Sequence, residues 1–281
     1  MKLEETLIHY NWMPCIADWS IDASREFYIS AKVSKVCEPK ELDENTVQEV
    51  QSNDVVFVKT DFLKNNYFQS IILPKIKNDF ILISGISSYT VDNYHTIIDN
   101  PHVKKWYCTN PPIRHEKVVG LPIGFEEKER DGGNQQVLLS FYGNTFSKID
   151  KILLPYHTAS TNSSRKNSIE YLKTLPFVDV QQEKLNFKDY LELLSQYKYC
   201  ICLEGAGYDT HRNYECLLVG TVPIMSNSNI RYIYDDWDLP SVFVDDWKQV
   251  DHSLFNSLYS SDFDFASTEK FLFTKSHMGI R

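Results

Sequence analysis

The chain has no dense run of lysine and arginine, and its 29 basic side chains are outnumbered by 38 acidic ones, for a formal net charge of −9 over 281 residues. Such a balance repels phosphate backbones unless the basic groups cluster, so nucleic-acid binding is disfavoured. No apolar stretch approaches the roughly 20 residues of a membrane span. The opening "MKLEETLIHYNWMP" is too polar for a secretory signal. A soluble, cytoplasmic protein is therefore expected. The six cysteines, Cys15, Cys37, Cys108, Cys200, Cys202 and Cys216, lack zinc-finger spacing, because the C-x-C of Cys200 and Cys202 is followed by no second Cys or His pair. The eight histidines form neither H-x-x-x-H nor H-E-x-x-H. No metal site is expected, and all six thiols read as free and reduced. Internal repeats and low-complexity tracts are also missing.

What remains is an ordinary globular composition, 42% hydrophobic and 24% charged, with a rich 14% of aromatics that serve packing or stacking. Its length suits two domains or one large α/β domain. Short apolar runs alternate with segments of helical pattern. Strands are expected at "DVVFV" (Asp54–Val58), "FILIS" (Phe80–Ser84), "VKKWYC" (Val103–Cys108) and "KVVGLPIG" (Lys117–Gly124). A polar, glycine-bearing stretch with no periodicity covers 126–136 and reads as a linker. The rhythm resumes with strands at Val137–Gly143, Phe177–Val180, Tyr199–Glu204, Thr221–Met225 and Ser241–Trp247. Helices are expected at Arg165–Leu175, capped by Ser163 or Ser164, and at Phe187–Tyr197 and His211–Gly220. This alternation predicts an α/β fold with mostly parallel sheets. The expected organisation is an N-terminal unit over 1–125, the linker, a second unit over 137–250 and a tail over 251–281 that ends in a helix.

The densest chemistry lies in "YCICLEGAGYDTHRNYECLLVGTVPIM", Tyr199–Met225. Ligands of parallel α/β sheets bind beyond the C-terminal ends of strands, and "LEGAGYDTHR" is such a junction. Gly205 and Gly207 permit positive φ and close approach of a ligand to the backbone. The helix that follows offers unpaired N–H groups and a positive dipole end to an anion. Arg212 adds a guanidinium fork suited to a diphosphate. Glu215 lies three residues on, on the same helix face, where it can accept from vicinal ribose hydroxyls. An exposed Arg–Glu pair on a glycine turn is the plainer reading. The buried strand before the pair and "GTVPI" after it favour a site.

"GYDTHRNYECLLVGTVPIM" resembles the donor-site motif of exostosin-like glycosyltransferases, with Thr210, His211, Arg212, Glu215, Gly220 and Pro223 in register. The likeness is clearest over 137–247. It extends to "FKDYLELLSQYKYCI" before the motif, "YIYDDWDLPSVFVDDW" after it, and "VKKWYCTN" with "RHEKVVGLPIGF" in the first half. It implies a GT-B fold: two Rossmann-like domains facing across a cleft, with the nucleotide mainly on the C-terminal one. It further implies inversion at the anomeric carbon, no essential metal or other cofactor, and a nucleotide-sugar co-substrate. A UDP-sugar is expected, with UDP-xylose a candidate, and the partner is a glycan or glycoconjugate acceptor. Arg212 would bind the diphosphate and Glu215 the ribose, while Gly143, Asn144 and Arg165 could reach the phosphates. A small member without a membrane anchor suggests a bacterial or viral source, or a cytosolic glycan pathway.

Inversion needs one general base from the N-terminal half. Asp61 after "VVFVKT", and Asp92 and His95 after "FILISGISSYTV", are the candidates. Where small members carry an aspartate this sequence has Ser88, which leaves Asp92 as a nearby substitute. Either aspartate could instead cap a helix. "DWD" (Asp236–Asp238) and "DFD" (Asp262–Asp264) match a metal motif of the other large glycosyltransferase fold but read as solvated acidic turns. A retaining enzyme of the same fold, or a catalytically silent nucleotide- or glycan-binding protein, are the alternatives.

Overall fold

Val55–Lys59 (β3) is a run of β-branched and aromatic side chains buried over its first four residues, which suits a strand covered on both faces. In the computed structural model, which describes residues 6–21, 39–157, 163–277 and 279, it lies inside a six-stranded sheet. The other members are Trp19–Ile21 (β1), Lys40–Glu41 (β2), Phe80–Gly85 (β4), Val103–Cys108 (β5) and Val118–Gly120 (β6), in the order β2-β1-β3-β4-β5-β6. A second sheet holds Ile149–Leu154 (β7), Val178–Val180 (β8), Tyr197–Cys202 (β9), Val222–Ser226 (β10) and Val242–Val244 (β11), in the order β11-β10-β9-β7-β8. Every pairing in both sheets is parallel. The fold is α/β, as the alternation of strand and helix patterns predicts.

Nine α-helices connect and cover these strands among the described residues: Thr60–Lys64 (α1), His95–Ile98 (α2), Gln135–Phe141 (α3), Ser163–Leu172 (α4), Phe187–Ser195 (α5), His211–Leu218 (α6), Arg231–Trp237 (α7), His252–Tyr259 (α8) and Ala266–Phe271 (α9). One apolar cluster is shared by the two sheets. It joins Val55 and Phe57 of β3 to Leu153 of β7, Cys200 and Cys202 of β9, and Tyr214 of α6. Separate clusters fill the outer face of each sheet, around Val56, Val58 and Leu82 in the first and Ile201 and Ile224 in the second. No helix among the described residues is long and apolar enough to cross a membrane.

Three expectations are corrected. "VLLSFYG" is not a strand: it belongs to α3, whose N-cap Asn134 accepts from the Gln136 and Val137 amides. Leu138 and Phe141, one helical turn apart, carry its buried face. A short apolar run fits either period, and here the cap decides. The strand that opens the second sheet is β7, in "IDKILL". The stretch over 126–136 is not a loose linker. Gly133 and Gln135 are buried, and Gln135 Oε1 accepts from the Leu7 amide at 3.0 Å.

The tail holds two α-helices among the described residues, α8 and α9, and it packs on the start of the chain. Ile8 N donates to Leu272 O (2.8 Å) and Thr274 N to Thr6 O (3.0 Å). Phe271 and Leu272 join Leu7 and Ile8 in the shared core. The proposed cap of α4 falls on Ser163 and Ser164, whose side chains lie outside the described residues, as does Cys37.

Candidate functional site

In the second sheet the chain runs outward from β7 to β8, then returns to the other side of β7 with β9. A parallel sheet opens a crevice at such a reversal, beyond the C-terminal ends of the two diverging strands. Tyr156 and His157 follow β7 there, and Leu203 and Gly205 follow β9. Together with α6 and the start of α5 they enclose a cavity of about 610 Å³. It takes in Arg165, Gly205, Thr210, His211, Arg212 and Glu215, six of the nine residues expected at the donor site.

Arg212 is held on the second residue of α6 by neutral partners. Its Nε donates to the Tyr190 hydroxyl at 3.3 Å, Nη1 lies 3.2 Å from His157 Nδ1, and Nη2 donates to Tyr156 O at 3.4 Å. Its guanidinium also lies over the Tyr190 ring, 5.9 Å from the centroid. Among the described residues no carboxylate comes within ion-pair distance of it. Arg165, at the start of α4, donates to the Glu204 main-chain oxygen. Burial and the neighbouring Arg212 charge push the Arg165 guanidinium below its ordinary value. Between the two, burial and then the charges of Arg212 and Arg165 bring His157 down to about 3, so its ring stays neutral. Two cations converge on a neutral imidazole in a half-closed space, an arrangement an anion would relieve. Glu215 is 8% exposed. Burial pushes its carboxyl up, opposed first by Arg212 and then by His211.

A second cavity of about 420 Å³ adjoins the first, and Glu126, Arg130, Gly205, Thr210 and His211 line both. Its far wall comes from the first half of the chain: Ser87 and Ser88 after β4, Asn110 after β5, and Tyr10 before β1. Gly207 is needed here for close approach, not for positive φ. A Cβ on it would lie 2.7 Å from the Ser88 carbonyl oxygen, and neither Gly205 nor Gly207 has a positive φ. Gly220 does close α6 in the left-handed conformation, with φ +67°.

Asp209 fastens the two sheets at this seam. Its Oδ2 accepts from the Ile123 amide (3.0 Å) and the Tyr214 hydroxyl (2.6 Å), and its Oδ1 from Asn213 Nδ2 (3.1 Å). Its own amide donates to Asn110 Oδ1 at 3.1 Å. Thr210 spends its hydroxyl on Asn213 Oδ1 (2.9 Å) and makes no side-chain cap. His211 Nδ1 lies 2.7 Å from Gly124 O, and its Nε2 lies 3.9 Å from Glu126 Oε1. Glu126 in turn meets Arg130 at 3.3 Å. The stretch expected to be a linker thus forms a charged wall common to both cavities. Asp209, His157, Tyr190 and Glu126 were not singled out as site residues. Only Asp209 carried a signal, its place inside "GYDTHR".

The remaining expected residues are not brought to these cavities. Gly143 and Asn144 follow a helix rather than a strand. Gly143 ends it with φ +73°, Asn144 is exposed, and neither lines either cavity. Asp92 is a surface residue, its side chain 79% exposed and paired with Lys64. His95 begins α2 with its ring against Tyr94, at 4.3 Å between centroids. Asp61 lies 3.7 Å from Lys59 and lines neither cavity. After burial, its charge is the next cause of the raised Tyr10 phenol. None of these three lines either cavity. Asp236 pairs with Arg114 at 2.9 Å, and Asp264 accepts from the Ala266 amide at 2.8 Å.

The C-x-C spacing also conceals a grouping. Cys200 and Cys202 share one face of β9, and α6 brings Cys216 to them, so the three buried thiols lie within 4.8 Å of one another. Three soft donors are one short of tetrahedral zinc, and no fourth His, Cys, Asp or Glu joins them among the described residues. Burial pushes the Cys202, Cys216 and Cys108 thiols up, away from the reactive thiolate. Native protein exposed to a thiol alkylating agent is expected to keep Cys108, Cys200, Cys202 and Cys216 unmodified. Peptide mapping that finds any of them labelled before unfolding would contradict this packing.

No protein-family model and no curated protein matches the chain. Among solved structures, a chain of the "Crystal structure of GtfA/B complex" is similar to it, with a TM-score of 0.40 and 11% identity over 84% of this chain. The chain covers 58% of the length of that structure's chain.

Proposed function

We propose that the chain is an inverting glycosyltransferase of GT-B type. It moves a sugar from a nucleotide diphosphate, a UDP-sugar with UDP-xylose as a candidate, to a hydroxyl of a glycan acceptor. The observation that carries this reading is the convergence of Arg212 and Arg165 on neutral His157 at the strand reversal of the second sheet. The diphosphate is the anion these two guanidinium groups receive. Glu215, buried three residues after Arg212, accepts from the ribose. In glycosyl transfer the negative charge grows on the departing diphosphate, and fixed guanidinium groups in a half-closed cavity stabilise it there. No residue of this set asks for a divalent cation. The sugar then points toward the second cavity, where the acceptor enters between Ser87, Ser88 and Tyr10 on one side and Gly205 and Gly207 on the other. The in-register motif "DTHRNYECLLVGTVPI" supports the same assignment.

A thermal-shift screen against UDP, GDP, CDP, ADP and a panel of UDP-sugars, with and without Mg²⁺ or Mn²⁺, tests it. Ligand at about a hundred times its dissociation constant adds about 2.7 kcal/mol, which such a screen resolves. A metal-independent shift with UDP and with one UDP-sugar is expected. No shift with any nucleotide would remove the proposal.

A further inference from the structure

We infer that His211 is the general base of the transfer, acting through Nε2 with Glu126 as the carboxylate beside it; this rests on the donor pocket proposed above. The sequence motif places His211 among the donor-binding residues, yet its ring sits at the seam where the two cavities meet, and it lines both. The tautomer follows from one contact. Nδ1 lies 2.7 Å from the Gly124 carbonyl oxygen. A carbonyl only accepts, so Nδ1 carries the proton and the neutral ring has its lone pair on Nε2. That nitrogen is 3.9 Å from Glu126 Oε1, beyond a direct hydrogen bond, and is not consumed by it. The ring is further fixed by the Tyr10 ring, edge-on at 5.7 Å. Glu126 is itself held by Arg130, which also reaches Glu127 at 3.7 Å.

The step balances without any further reactant. A lone pair of the acceptor hydroxyl oxygen forms the new bond to the anomeric carbon. The bond from that carbon to the diphosphate oxygen breaks, and its electron pair leaves with the diphosphate between Arg212 and Arg165. The hydroxyl proton passes to His211 Nε2, and the resulting imidazolium faces the Glu126 carboxylate. By contrast Asp92, His95 and Asp61 line neither cavity.

The test compares the wild type with His211→Gln in two assays: UDP affinity by calorimetry, and UDP release from a panel of UDP-sugars with neutral oligosaccharide acceptors. UDP affinity is expected to stay within about threefold, while UDP release falls about 10²- to 10⁴-fold, the usual contribution of a general base. Release within threefold of wild type overturns the inference, and so does a parallel loss of UDP affinity, which would make His211 a donor-binding residue only. Wild-type protein that binds UDP but turns over no donor overturns the transfer step and this inference while leaving the nucleotide pocket in place. Failure to bind UDP at all removes the underlying proposal instead. A second measurement needs no turnover: long-range ¹H–¹⁵N NMR of the histidine rings in wild-type protein at neutral pH. In the neutral ring of His211 the Nδ1-protonated tautomer is expected, and the Nε2-protonated tautomer overturns the assignment.

Discussion

Arg212→Ala is expected to weaken UDP binding by roughly 1.5–3 kcal/mol, the scale of hydrogen bonds to a charged group, or about 10- to 150-fold in dissociation constant. The wild-type guanidinium is half-buried in the cavity wall and hydrogen-bonds a phenol, an imidazole and a main-chain carbonyl. None of these neutralises it, so its charge is available to an entering diphosphate. Removing it also deprives Glu215 of the first charge that opposes the effect of burial on its carboxyl. Ribose recognition therefore weakens together with phosphate binding. Arg212→Lys is expected to recover only part of the loss, because an ammonium cannot reproduce the planar fork. Calorimetry that finds UDP affinity unchanged in Arg212→Ala sinks the assignment of this cavity to a nucleotide.

The second large effect is one of stability. Asp209→Ala leaves the Ile123 amide, the Tyr214 hydroxyl and Asn213 Nδ2 without their acceptor at a buried seam. A buried donor left unsatisfied costs about 1–3 kcal/mol, so three of them cost at least about 3 kcal/mol. At about 2–4 °C per kcal/mol for a chain of this size, the melting temperature should fall by roughly 6–12 °C or more. Because Ile123 and Asn110 precede the charged wall and Tyr214 lies on α6, the same change should loosen the geometry that holds His211.

The carboxylate also leaves a pH signature. Burial raises Asp209 from the ordinary 3.8 to about 6. Between these values the folded protein holds a proton that the unfolded chain has released. Stability from this group is therefore greatest at the acid end and falls as pH rises from about 4 to about 6. Asp209→Asn should lose that slope, whatever its absolute stability. Melting curves of the two proteins at several pH values in this window check it, and parallel slopes would count against the burial of an ionisable group here.

The α/β character was legible because the parallel strands are buried on both faces, so each reads as a short apolar run. β3, β4, β9 and β10 were all marked in this way, and β5 was marked by Val103 and Trp106–Cys108 despite its two exposed lysines. β1 and β2 were not marked, being three and two residues long. β7 was missed because its first half, "IDK", is exposed or half-exposed. "VLLSF" was misread because a short apolar run carries no period, and the cap that makes it a helix, Asn134, lies three residues before the run.

The sequence by itself determined the local chemistry of one strand–loop–helix unit. A buried strand, two glycines, and Arg212 with Glu215 three residues apart on α6 all follow from spacing along a single element. The tertiary structure alone decided what stands opposite that unit. His157 comes from the end of β7, Arg165 from α4 and Tyr190 from α5, and each reaches Arg212 across 22 to 55 residues of chain. Our proposal of the His211–Glu126 pair over Asp92, Asp61 and His95 draws on the same level. Nothing in spacing distinguishes an aspartate that pairs with Lys64 at the surface from a histidine whose Nδ1 is bound by a carbonyl 87 residues away. Local pattern fixes which face a side chain takes on its own element. Only the packing of one element on another fixes which groups it meets, how far it is desolvated and which of its atoms stays open to a ligand.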